Sequence, residues 1–207
     1  MIEIIRAGGW LMLPIILCSV VAVAITIERI WTLQRRRVLP KDLATRVWEW
    51  ARDRQLDQKH LSILAANSPM GQVLAAGLAS RGQPRDVLKE KIQDTGRHVV
   101  HELERYLNTL GTIAAVTPLL GLLGTVIGMV KVFTAITTAG VGNPGVLAGG
   151  ISEALITTAA GLSVAIPSLI AYRYLRGRVD ALVVEIEKEA MKLIDALHRS
   201  GQREDGG

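Results

Sequence analysis

Apolar and charged residues are segregated along this chain. Ala7–Ile27, Tyr106–Val130 and Ala154–Tyr172 carry no charge. Each run is about 19 to 25 residues long, the length at which an α-helix crosses the hydrocarbon core of a bilayer. The pattern predicts an all-α membrane protein with three transmembrane helices, at 7–27, 106–130 and 149–172. Residues 1–6, 28–105, 131–148 and 173–207 lie outside the bilayer.

The sequences between the spans read as helix too. "LPKDLATRVWEWARDRQ" mixes apolar and charged residues at helical spacing, Ser68-Pro69 is an N-cap followed by proline at the first helical position, and Gly82 interrupts the pattern before Pro84 restarts it. From Pro84, Leu88, Ile92, Thr95, Val99, Leu103, Tyr106 and Leu110 share one face with no Gly or Pro cluster among them. The second span therefore continues a helix that starts near residue 84. After the third span, Val179, Leu182, Ile186, Ala190, Leu193 and Leu197 keep the spacing. Both extensions are stripes that need a partner surface. The final "SGQREDGG" reads as a polar, unordered tail.

Charge sets the orientation. Arg29, Arg35, Arg36, Arg37 and Lys41 follow the first span, and Arg173, Arg176 and Arg178 follow the third. The other flanks offer Arg6 and Lys131. The positive-inside rule places the N-terminus outside, 28–105 as a cytoplasmic helical domain, 131–148 as the outer connection and the C-terminus in the cytoplasm. A cleaved leader is the alternative for the first run, since Ala22-Val23-Ala24 has the A-x-A form. The run is long for that, and cleavage would send three arginines across the membrane.

The mean hydropathy of +0.31 and 49% apolar residues agree with a membrane protein. The net charge of +5 is accounted for by the topological arginines. With 4% aromatics and no basic patch interleaved with them, nucleic-acid binding is excluded. Cys18, the only cysteine, allows no internal disulfide, and Leu17 before it argues against lipid modification. His98 and His101 with Glu102 read as a solvated helix face, so no metal, cofactor or catalytic group is assigned.

The polar residues inside the spans remain to be explained. Thr117, Gly121, Thr125 and Gly128 lie at steps of 4, 4 and 3 on the second span, and Gly124 with Gly128 forms G-x-x-x-G. On the third, Gly149 or Gly150, Glu153, Thr157 and Gly161 recur at similar steps. Small residues let helices approach closely, and threonines can bond their own backbone. The same faces can line a narrow polar path. Glu153 admits two readings, a pore carboxylate or an interfacial residue reaching outward.

"TPLLGLLGTVIGMVKVF" followed by "GGISEALITTAAGLSVAIP" strongly resembles the proton-channel family of ExbB and TolQ, which also contains the flagellar stator protein MotA. "IERIWTLQRRRVLP" and "SPMGQVLAAGL" resemble it as well, so the likeness covers nearly the whole chain. Three spans rather than four favour the ExbB/TolQ branch. The resemblance implies a homopentameric ring in the bacterial inner membrane, its second and third spans around a pore. The pore holds single-span partner helices like those of ExbD or TolR, each with an essential aspartate, and proton flow through it drives a TonB- or TolA-like protein. The family's pore glutamate falls on Glu153 and its two pore threonines on Thr125 and Thr158. Thr157 adds a hydroxyl in place of an alanine, and Thr117 is a further candidate on the pathway. Gly121, Gly124, Gly128, Gly161, Pro118 and Pro167 would serve helix packing. On an ideal helix Thr157 lies about 40° round from Glu153 and Thr158 about 140° away, so Thr158 can face a neighbouring helix instead. The "MIEIIRAGGW" start and "IERIW" exit favour the ExbB side over Tol. The residues leave a partner-free ion channel, a structural scaffold, and Na⁺ in place of H⁺ open.

Overall fold

The structure, a computed structural model, describes residues 8–40, 43, 58–139 and 144–204. The predicted outer segment 1–6, most of the helix in "LPKDLATRVWEWARDRQ" and residues 140–143 of the connection lie outside the described residues. All regular structure among the described residues is α-helical: α1 (Met12–Thr32), α2 (Arg35–Val38), α3 (Gln58–Asn67), α4 (Pro69–Ala79), α5 (Arg85–Leu103), α6 (Leu107–Ala139) and α7 (Pro144–Glu204). Three of them, α1, α6 and α7, are long and apolar enough to cross a membrane. The chain forms two units, one within Met1–Arg29 and Tyr106–Tyr174, the other within Ile30–Arg105 and Leu175–Gly207.

In the first unit α1, α6 and the first part of α7 bury only narrow seams. On α1, Met12, Ile15, Ala22 and Arg29 are buried, while Leu13, Leu17, Val20, Val23 and Ile27 are exposed. A soluble protein would hide such side chains, whereas lipid solvates them at no cost. The seam between α6 and α7 is lined with glycine because the two backbones touch. A Cβ on Gly161 would stand 2.8 Å from the Thr117 carbonyl oxygen and 3.2 Å from Gly121 Cα, and one on Gly128 would stand 2.8 Å from Ala154 Cβ.

The second unit is an amphipathic assembly. Ser68 caps α4 by accepting a hydrogen bond from the Gly71 amide at 3.1 Å, with Pro69 at the first helical position. Gly82, at φ +84°, makes the left-handed turn that separates α4 from α5. Leu88, Ile92, Val99 and Leu103 of α5 are buried, as are Val179, Leu182, Ile186, Ala190 and Leu193 of α7. Gly77 of α4 admits both Ile92 and Leu193, whose side-chain carbons would lie 3.0 and 2.9 Å from a Cβ there. Gly77 of α4 thus packs against the stripes of both α5 and α7.

Four boundaries differ from the sequence-based expectation. The first helix runs from Met12 to Thr32 instead of 7–27, because Gly9 is left-handed at φ +69° and the helix continues through Glu28 and Arg29. The second span does not continue α5: the helix ends at Leu103 and a new one begins at Leu107, with Tyr106 left-handed at φ +63°. A left-handed non-glycine residue costs about 1–2 kcal/mol. The Arg29 guanidinium lies 5.5 Å from the centroid of the Tyr106 ring, a contact that helps hold the turn. The predicted connection 131–148 is mostly helix, because α6 runs to Ala139 and α7 starts at Pro144. Its threonines satisfy themselves within the helix: Thr134 donates to the Val130 carbonyl and Thr138 to the Thr134 carbonyl. The polar tail is helical as far as Glu204.

Candidate functional site

Between Arg105 and Arg173 the chain has only two charged residues, Lys131 and Glu153. The hairpin of α6 and α7 brings them together, with Lys131 eight residues before the end of α6 and Glu153 nine residues after the start of α7. Lys131 Nζ donates to Glu153 Oε1 at 2.6 Å and to Oε2 at 2.8 Å. The Glu153 side chain is 21% exposed and that of Lys131 51%. Lys131 lies 24 residues beyond Leu107, about 36 Å along an ideal helix. A hydrocarbon layer about 30 Å thick that began at Leu107 would end before Lys131, where a lysine stem can keep its head near water.

The backbone leading into α1 closes the site from a third side. Gly9, at φ +69°, packs against the Glu153 carboxylate, and a side chain there would collide with it. Thr157 is buried beneath it, its hydroxyl 2.7 Å from the Glu153 carbonyl and 2.9 Å from the Gly8 carbonyl. Its methyl fills the space left by Gly124, where a Cβ would come within 2.6 Å of it.

The other hydroxyls point elsewhere. Thr158 donates across the seam to the Gly121 carbonyl at 2.9 Å, so it faces the neighbouring helix. Thr117 is fully buried at 0% exposure and donates to the Ile113 carbonyl at 2.6 Å. Thr125 is half-buried and donates to Leu122 of its own helix, also at 2.6 Å. Gly121, Gly124, Gly128 and Gly161 all lie in the seam. Pro118 is half-buried inside α6, and Pro167 sits on an exposed face of α7 rather than in the seam.

Sequence reasoning missed Lys131 as a partner of Glu153, having assigned it to the connection. A signal existed: the two lone charges stand equidistant from the Gly- and Pro-containing "GVGNP". Gly8 and Gly9 were missed as well, because they were counted as the opening residues of the first span.

Long apolar helices, closely packed at a glycine seam around an isolated ion pair and several hydroxyls, define a membrane protein with polar groups held inside its helical hairpin. The model of the MotA/TolQ/ExbB proton channel family matches residues 65–188, and the chain belongs to that family. This is a family of channel and transport proteins, not of enzymes. The ExbB-like 1 biopolymer transport protein of Synechocystis sp. is 33% identical over 171 residues, covering 81% of this chain and 67% of that protein. The Tol-Pal system protein TolQ of Haemophilus influenzae is 39% identical over 100 residues, 48% of this chain and 44% of that one. Biopolymer transport protein exbB1 of Vibrio cholerae is 39% identical over 88 residues, 42% of this chain and 39% of that one.

Proposed function

We propose that this chain is the ring-forming subunit of a proton-driven stator in the bacterial inner membrane. Five copies surround the single-span helices of a partner resembling ExbD, each with a transmembrane aspartate, and the assembly energises a TonB-like protein for outer-membrane transport. The N-terminus faces the periplasm, and 28–105 and 173–207 the cytoplasm. The likeness to TolQ supports the same machine serving envelope integrity.

The observation that carries this reading is the Glu153 carboxylate, paired with Lys131 and packed against Gly9 at one end of the apolar α6–α7 hairpin, with the Thr157 hydroxyl beneath it. A proton arriving from the adjacent aqueous phase meets Glu153 first. Deeper in, a partner aspartate is costly while ionised, and threonine hydroxyls reduce that cost locally. Neutralised by a proton, the aspartate can pass the apolar wall. A charge crossing the membrane potential releases about 2.3 kcal/mol per 100 mV, available for turning the partner within the ring.

Glu153→Gln tests the reading. The amide keeps the shape and is cheaper to bury than a carboxylate, so the variant should be expressed and assemble with its partner. It should lose most energy-dependent function when it complements a strain lacking this protein. Full activity from the well-expressed variant would overturn the pathway role and leave Glu153 as an interfacial residue.

A further inference from the structure

We propose that Lys131 is a tethered counter-cation that closes Glu153 to metal cations while leaving it open to a proton, and so sets the ion specificity of the pathway. The inference rests on Glu153 being a pathway group and names what that group admits. Both carboxylate oxygens are engaged by one ammonium, at 2.6 and 2.8 Å, and no other charge lies between Arg105 and Arg173. The pair is electrically balanced before any ion arrives.

A hard metal cation is held by several oxygens at once. Here the two strongest candidates already face Lys131 Nζ. The surrounding carbonyls are also engaged: the Thr157 hydroxyl approaches those of Gly8 and Glu153, and the Thr158 hydroxyl that of Gly121. Gly9 backbone packs against the carboxylate on another side. A sodium ion would have to displace the ammonium from both oxygens. The ammonium is covalently tethered, so it competes at a fixed, high effective concentration that the medium cannot dilute. A proton has a smaller requirement. It forms a covalent bond through one lone pair of one oxygen, and each carboxylate oxygen offers about two. The other oxygen keeps its hydrogen bond to Lys131, whose half-exposed head can also withdraw toward water.

The test uses the purified full-length protein in detergent, without its partner, and so does not depend on motor activity. Thermal unfolding midpoints are measured across a sodium titration, with choline holding ionic strength constant. The parent and Lys131→Arg should show no sodium-specific rise. Lys131→Gln, or Lys131→Met should the first variant fold poorly, should show a midpoint that climbs with sodium as for a single-site ligand. The climb should vanish when Glu153→Gln is added to the same variant, which locates the ion. A sodium-specific rise in the parent or in Lys131→Arg, a flat response in both neutral variants, or a rise that survives Glu153→Gln would each overturn the inference. Failure of Glu153→Gln to impair complementation would instead overturn the pathway reading itself.

Discussion

Thr158 and Thr125 carry the same side chain into different roles. The Thr158 hydroxyl ties α7 to the Gly121 carbonyl, whereas the Thr125 hydroxyl bonds only within α6. Valine matches threonine in volume and removes the hydroxyl. Interhelical hydrogen bonds in membrane proteins average about 0.6 kcal/mol, so Thr158→Val should lower the unfolding midpoint by about 2 °C. Thr125→Val should leave the midpoint unchanged, because the lost bond merely returns a carbonyl to its helix. On the proposed pathway Thr125→Val nevertheless impairs energy-dependent work, less completely than Glu153→Gln. Thermal unfolding and complementation on the same preparations separate the two effects. Equal destabilisation by both substitutions would contradict the assignment of Thr158 to the seam.

At the scale of the element, the α6 and α7 hairpin depends on having no side chain where the backbones meet. Gly161→Ala places a methyl 2.8 Å from the Thr117 carbonyl oxygen, where the partner is backbone and cannot step aside. The expected cost is about 1–3 kcal/mol, read as a lower unfolding midpoint. Gly149→Ala, in the same helix with nothing within 4 Å of its Cβ, should be neutral or stabilising. Loss of stability in both, or in neither, would contradict the seam. The three long helices were legible because a run without charge needs only its length to declare itself. The stripes of α5 and α7 were legible for the same reason, from period alone. The break at Tyr106 was not, because a tyrosine in a left-handed turn has no local signature and is held partly by Arg29, far away in sequence. The far end of α6 was misread since Lys131 and the threonines after it look polar, although those hydroxyls bond inside the helix. At the site, Glu153 and the glycines stood out as polar or small residues in an apolar tract. The Lys131 contact and the Gly9 cover depend on how three helices align, which period and composition do not encode.

For the whole molecule, the arginines after α1 and within α7 predict which unit faces the cytoplasm. A thiol placed at the exposed Lys59, in a variant with Cys18 removed, should react with an impermeant reagent only after the cells are opened. Reaction in intact cells would reverse the orientation. On the proposed function this chain moves protons as part of a machine, not as a pore on its own, and proton flux into proteoliposomes separates the two. Under an imposed membrane potential, the chain reconstituted with its aspartate-bearing single-span partner should carry protons. The chain alone, and the complex with Glu153→Gln, should stay near the rate of empty vesicles. Full flux from the chain alone, or undiminished flux from the Glu153→Gln complex, would contradict the account.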